Sequence, residues 1–333
     1  MLNTTIDRFA YAFIEPSADG KVHFKAPDIG AEEVFEADID CLEESRLDLH
    51  AGVTRRMLRD FNDGRFPAMT ITSYVDAPPG SGLGSSSALA VALVEAFTTY
   101  LSAPLGPYDV ARLAWEIERH DLRLPGGKQD QYAATFGGTN FIEFHAGDRV
   151  IVNPLRVAPA VLNEFETALV LCFTGVSRRS EAIIEEQQRR MASSAPEAID
   201  GLHRLKADAL EMKQALLRGD VPGMAAILNR SWEAKKRTAC GITSDRIEVL
   251  RAAAFEGGAI GGKVSGAGGG GFMMFIVPPG RRMDVLRSLS KQGGEATAVH
   301  LTDRGAESWR CDSSYKASPS DAVLAFADDW ARG

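Results

Sequence analysis

Residues 78–88 read PPGSGLGSSSA, residue types suited to gripping a polyphosphate. Glycines at 80, 82 and 84 let the backbone take positive φ and approach a ligand with no Cβ in the way. Ser85, Ser86 and Ser87 follow, and an apolar helix is expected from about Ala88. A helix start presents unpaired N–H groups and a partial positive charge. Pro79, Gly80, Gly82, Leu83, Gly84 and the three serines therefore read as one anion cradle, in which a serine hydroxyl is able to ligate Mg²⁺. The alternative is a flexible Gly/Ser linker, but the run joins a strand directly to a helix, where linkers rarely sit. The Walker A pattern is absent. Its nearest approach, residues 257–264, ends in Lys263-Val264 rather than Lys followed by Ser or Thr.

A second glycine segment, GGKVSGAGGGGFMMF at 261–275, contains a G-x-G-x-x-G match at Gly266, Gly268 and Gly271. A dinucleotide fold needs a helix after that motif. Here the β-like run FMMFIV follows, so a second backbone-only surface closing on substrate and phosphates fits better than a Rossmann turn. Between the two glycine segments lies AWEIERHDLRLPGGKQDQ, residues 114–131. Phosphoryl transfer asks for positioning, a metal to offset phosphate charge and a carboxylate to accept the hydroxyl proton. Glu118, near a helix end, and Asp130, after a Pro-Gly-Gly turn, are two carboxylates available for separate roles. Glu116 stands two residues before Glu118, so the two do not share a helix face, and Glu116 is expected in solvent. The six histidines are scattered, which argues against a histidine-ligated metal site.

The chain of 333 residues is long enough for two domains. We expect them at residues 1–160 and 161–311, with a Ser-, Asp- and Ala-rich tail at 312–333. Strand-like alternation covers the opening to Phe13, Val22–Phe24 and Glu33–Ala37, with Asp19-Gly20 expected to turn a hairpin between the first two. AMTITSYV at 68–75 reads as a strand feeding the phosphate loop. Helical spacing marks Leu49–Phe61, with Val53, Met57, Leu58 and Phe61 on one face. It also marks Tyr108–Arg119, the long stretch Ser180–Asn229, Ser244–Gly257 and Arg282–Gln292. A closing strand is expected at Thr297–Leu301. Strands and helices alternate without a strict βαβ rhythm, so the expected class is α+β. Net charge is −8, which argues against a non-specific nucleic-acid partner. No run reaches the ~18 apolar residues of a membrane span, and the opening lacks a signal-peptide pattern. Cys41, Cys172, Cys240 and Cys311 show no C-x-x-C pair and read as free thiols of a cytoplasmic protein.

The first glycine loop is closely similar to the ATP-phosphate loop of GHMP kinases, P-x-G-x-G-L-G-S-S. The segment KVSGAGGGGF resembles their C-terminal glycine motif. LNTTIDRFAY, GGKQDQYAATFGGTNFIEF, FTGVSRRS and SWEAKKRTACGITSDRIEVL resemble the heptose phosphate kinases within that family, and the likeness covers nearly all of residues 2–310. The resemblance implies the two-domain GHMP fold: a ribosomal-protein-S5-domain-2-like first domain and a ferredoxin-like second. It implies ATP and Mg²⁺, with the metal on Ser86 and Glu118, and Asp130 as the residue that accepts the sugar hydroxyl proton. Lys128 and Gln131 flank Asp130 as candidate substrate contacts, with Lys128 equally readable as a solvated surface lysine. Arg178 (or Arg179) is a candidate sugar-phosphate contact or a surface arginine ahead of a helix, and the resemblance points to Gly266, Gly268 and Gly269 at the substrate. Lys235 and Lys236 stay open between phosphate contact and solvated surface. The implied partner is a small sugar phosphate, with the anomeric hydroxyl of a heptose 7-phosphate as acceptor. Fucose- or galactose-type acceptors, or a GHMP-fold protein that binds without turnover, are the alternatives. Family members open with a further strand and loop, P-L-R…G-G-G-T-D, ahead of the counterpart of LNTTIDRFAY. That strand does not precede it here, and the expectation is that Met1 is internal to a longer natural protein.

Overall fold

The computed structural model describes residues 1–78, 80–176 and 181–311; Pro79, Arg178, Arg179 and the tail 312–333 lie outside the described residues. The first half of the chain runs β1 (Leu2–Ile6), β2 (Ala10–Pro16), β3 (Lys21–Ala26), β4 (Ala31–Glu36), α1 (Asp48–Phe61), β5 (Met69–Val75), α2 (Ser85–Leu101), α3 (Pro107–Glu116), α4 (Gln129–Phe136), β6 (Thr139–Phe144) and β7 (Val150–Pro154). The second half runs α5 (Pro159–Ala168), β8 (Leu169–Phe173), α6 (Glu181–Ala192), α7 (Pro196–Arg218), α8 (Val221–Lys236), α9 (Asp245–Gly257), β9 (Gly261–Val264), β10 (Phe272–Ile276), α10 (Arg282–Lys291), β11 (Glu295–Thr297) and β12 (Leu301–Thr302).

Period-two alternation buries Met69, Ile71 and Ser73 of β5 and turns Thr70, Thr72 and Tyr74 the other way. This strand sits inside a sheet of order β2-β5-β3-β4, antiparallel to β2 and parallel to β3. The expected hairpin over Asp19-Gly20 is therefore corrected. The chain does turn there, with Gly20 at φ +79, but β5 lies between the two strands. A local turn signal does not select the pairing partner when a third strand, its inner face already apolar, can bond both. Helices α1 and α2 cover this sheet, and Val53, Met57 and Leu58 meet Phe24, Met69, Ile71, Leu93 and Phe97 in one buried core.

A second sheet, β12-β1-β6-β7, brings the two ends of the described chain together. Thr5 and Ile6 pair with Thr302 and Leu301, Ala306 packs on the first core, and the Arg310 guanidinium donates to the Thr99 carbonyl at 3.0 Å. Residues 301–311, expected with the second domain, thus sit on the first. For the same reason the single closing strand expected at Thr297–Leu301 is two short strands, β11 in one sheet and β12 in another. The third sheet, β11-β8-β10-β9, is antiparallel throughout, backed by α9 and α10 over a core of Val170, Ile247, Leu250, Phe275 and Leu289. Its strand order is the ferredoxin-like one, and the α+β class is as expected. Among the described residues, no helix is long and apolar enough to cross a membrane.

Candidate active site

The phosphate loop leaves β5 and ends on Gly84, which caps α2 at φ +77 and ψ 22. The amides of Ser85, Ser86 and Ser87 then begin the helix with no intrahelical acceptor available to them. Gly80 and residues 82–87 line a cleft of about 2930 Å³ between the two halves of the molecule. Gly84 has two reasons to be glycine. Its φ disfavours a side chain, and a Cβ there would lie 3.1 Å from Cβ and Cγ of Asp130. The carboxyl expected to do proton transfer is thereby set directly against the helix start expected to hold the phosphates. Leu83 has a different role, packing on Leu169, Leu171 and Val299 of the second half.

The two glycine segments touch. The Phe272 amide donates to the Ser81 carbonyl at 2.8 Å. A Cβ on Gly266 would lie 2.7 Å from the Gly82 carbonyl oxygen, and one on Gly271 would lie 2.2 Å from that of Ser81. Gly266 lines the cleft together with Ser265 and Ala267. Gly268 and Gly269, expected at the substrate, do not line it. They pack on the 242 loop, where the Gly269 amide donates to the Ile242 carbonyl at 2.8 Å and a Cβ on Gly268 would lie 2.9 Å from the same oxygen.

Helix α3 continues into a π-turn, Ile117–Asp121, in which the Leu122 amide reaches back to the Ile117 carbonyl at 2.9 Å. The wider turn sends Glu118 inward, where it is 1% exposed. Glu116 points outward, but it is held rather than free in solvent: Arg56 and Arg112 each donate to it at 2.8 Å. The Ser86 hydroxyl donates to Glu118 Oε1 at 3.2 Å, and the Gln131 amide nitrogen donates to Oε2. The same Gln131 nitrogen reaches Ser87 Oγ at 3.0 Å, while its buried Oε1 has no hydrogen-bond partner. Gln131 is fully buried beneath the serines, so its contacts are with Glu118 and the loop rather than with a ligand in the cleft.

Asp130 lies in the first turn of α4 and lines the cleft. Burial raises its carboxyl above the ordinary aspartate range, and the Glu118 charge adds to the rise, while Gln129, Arg119 and Lys235 pull the other way. Lys128, two residues earlier, is not on the cleft. Its ammonium meets Asp148 at 2.7 Å and lies 4.2 Å from the centre of the Trp115 ring. Two cleft residues escaped assignment from the sequence. Arg119 bonds the loop carbonyls of Leu124 at 3.2 Å and Gly127 at 3.1 Å, shaping the approach to Asp130. Lys263, on β9, carries an ammonium whose pKa burial lowers. Lys235, left open above, is on the cleft: it donates to the Gly266 carbonyl, and burial, with Lys263 beside it, brings its pKa down to about 7. A lysine's chemistry depends on what it faces, and its immediate sequence carries no sign of that.

A phosphate-sized cradle at a helix start, facing an inward carboxylate across two interlocked glycine loops, is the working arrangement of a phosphotransferase. Residues 48–138 match the GHMP kinases N terminal domain, and residues 212–295 match the GHMP kinases C terminal domain. The chain belongs to the GHMP kinases, and that membership implies ATP as the phosphoryl donor. It is 39% identical, over 93% of its length and 91% of the relative's, to D-glycero-alpha-D-manno-heptose 7-phosphate kinase of Campylobacter jejuni subsp. jejuni serotype O:2. A crystal structure titled as a D-glycero-D-manno-heptose 1-phosphate kinase from Bacteroides thetaiotaomicron superposes with a TM-score of 0.78 at 39% identity, covering 94% of this chain and 90% of that one. The Methanococcus jannaschii mevalonate kinase shares the fold at 14% identity, with a TM-score of 0.71 over 90% of this chain and 91% of that one.

Proposed function

We propose that this protein transfers the terminal phosphoryl group of ATP to the anomeric hydroxyl of D-glycero-D-manno-heptose 7-phosphate, giving the 1,7-bisphosphate. The observation that carries the reading is the contact of Asp130 with Gly84, which sets a proton acceptor beside the phosphate cradle. The relatives' names supply the acceptor, since both describe kinases of a heptose monophosphate. In this reading the amides at the start of α2 and the backbone of Gly80, Gly82 and Gly84 hold the polyphosphate. Asp130 takes the hydroxyl proton as the acceptor oxygen bonds to phosphorus and the bond from phosphorus to the ADP oxygen breaks. Its raised pKa suits this task, because a stronger base removes the proton more readily. Gly266 closes the cleft from the second half.

Among the described residues, no cluster of three or more His, Cys, Asp or Glu could cage a metal. Mg²⁺ does not require one, because it binds through one or two carboxylates plus substrate phosphates and keeps several waters. The buried Glu118 carboxylate and the Ser86 hydroxyl 3.2 Å from it, both on the cleft, make an oxygen-bearing corner of that kind. We assign Ser86 and Glu118 to hold Mg²⁺, which when bound offsets phosphate charge. Free cysteines and an ATP donor accord with a cytoplasmic setting. The test is ADP release, measured with a coupled assay on heptose 7-phosphate, heptose 1-phosphate, fucose, galactose and mevalonate. Heptose 7-phosphate is expected to give the highest kcat/KM; a better rate on any other acceptor reassigns the substrate.

A further inference from the structure

We propose that Lys235 and Lys263 form a subsite for a phosphate group carried by the acceptor itself, placed across Asp130 from the nucleotide's phosphates. The inference rests on the sugar-phosphate reading above and assigns residues to the acceptor's second charged end.

Lys235 lies one helical turn beyond Ser231 on α8, so both face the same way, and both line the cleft. Its ammonium is anchored on the Gly266 carbonyl, at the point where the second glycine loop meets the first. Lys263 comes from a different element. It pairs directly with Met274 across the β9–β10 ladder, which places both side chains on one face of the sheet, and that face is the cleft wall. The topology thus brings one lysine from a helix and one from a strand to the same cleft wall, near enough that the Lys263 charge lowers the Lys235 pKa.

Other lysines have carboxylate partners: Lys128 pairs with Asp148 and Lys236 with Glu233. Among the described residues, no carboxylate lies within ion-pair distance of Lys235 or Lys263. The acidic side chain whose charge Lys263 feels, Asp208, is already held by Arg204 at 2.8 Å, Arg230 at 2.6 Å and the Ser231 hydroxyl at 2.8 Å. Two unpaired cations kept together in a protein cleft are costly unless an anion joins them. Burial lowers the pKa of both ammonium groups, and at Lys235 the Lys263 charge adds to the fall.

The nucleotide's phosphates have their own cradle at α2. Asp130 abuts that cradle through Gly84 and also lies in the field of Lys235, so it stands between the two. A sugar with its reacting hydroxyl at Asp130 and a phosphate at its far end spans this arrangement.

Lys263 is the residue to change, because Lys235 also anchors the glycine loop. The full chain and its Lys263→Met and Lys263→Arg variants are compared on heptose 7-phosphate and on the phosphate-free heptose. Charge-assisted hydrogen bonds of this kind govern at least about tenfold in affinity. Lys263→Met is expected to raise KM for the phosphorylated acceptor by that factor or more, with a much smaller change for the phosphate-free sugar, and Lys263→Arg to recover most of the loss. Equal losses on both acceptors, or a loss confined to KM for ATP, overturn the subsite. Calorimetric binding of heptose 7-phosphate without nucleotide separates the two proposals. Lys263-dependent binding without turnover sinks the kinase reading and keeps the subsite. Turnover with unchanged affinity in Lys263→Met does the reverse.

Discussion

The two glycine-rich segments have similar composition and meet in space, yet they use glycine differently. In residues 80–84 the glycines line the cleft, where a Cβ on Gly84 would meet only the edge of a carboxyl-bearing side chain at 3.1 Å and one on Gly82 the Ser265 carbonyl oxygen at 3.1 Å. In residues 266–271 most of the missing side chains leave room for other backbone: Gly266 against Gly82, Gly268 against Ile242, Gly271 against Ser81. The first segment lines the cleft and leaves room for a carboxyl group, and the second packs mainly on protein backbone. A glycine run is therefore not by itself a binding site. What matters is whether the space a Cβ would fill is bordered by a side chain that faces the cleft, as at Gly84, or by closely packed backbone, as at Gly271.

The sharpest way to break this contrast is at the residue the first loop abuts. Asp130→Asn is expected to lower kcat by about 10²–10⁴-fold, the usual worth of general base catalysis, with the fold intact by circular dichroism. Turnover within about tenfold of the parent removes Asp130 from proton transfer. The two loops themselves come next. Gly271→Ala forces a Cβ onto the Ser81 carbonyl at a φ of +76, so it is expected to destabilise the fold by roughly 2–4 kcal/mol, read from denaturant midpoints. Gly84→Ala meets the Asp130 side chain rather than backbone at its nearest contacts, so its expected stability loss is nearer 1 kcal/mol, while kcat falls by about tenfold or more because the carboxyl is displaced. Equal stability losses would erase the distinction.

A smaller effect follows from the direction of the Asp130 shift. The base is active when ionised, and a raised pKa means that ionised form is lost earlier as pH falls. The acid limb of kcat/KM is therefore expected above the ordinary aspartate range, near 4, and Gly84→Ala is expected to move it. The smallest effect belongs to Lys128. Its exposed pairing with Asp148 and its place outside the cleft predict that Lys128→Ala changes kcat/KM by less than about twofold and stability by under about 1 kcal/mol.

Much of the site was legible before any coordinates. A polyphosphate cradle needs consecutive residues, because its donors are neighbouring amides, so its signature is contiguous and survives as PPGSGLGSSSA. The inward turn of Glu118 was half legible: spacing separated it from Glu116, but only the π-turn sends it beneath Ser86. Gln131 was read as a substrate contact because it neighbours Asp130, whereas the helical turn that aims Asp130 at the cleft aims Gln131 into the protein. Lys128 was open between substrate contact and solvated surface, and its place just before α4 puts it off the cleft and on Asp148.

The sequence by itself determined the local chemistry: which stretches bend with positive φ, where a helix starts, where strands alternate and which family pattern the whole obeys. These depend on residues a few positions apart, and physical rules at that range are strong. Tertiary structure alone decided that β5 separates β2 from β3, that residues 301–302 return to β1, and that Lys235 and Lys263 share one cleft wall. Those outcomes depend on surfaces that meet only after folding, when burial and charge are set by neighbours far away along the chain.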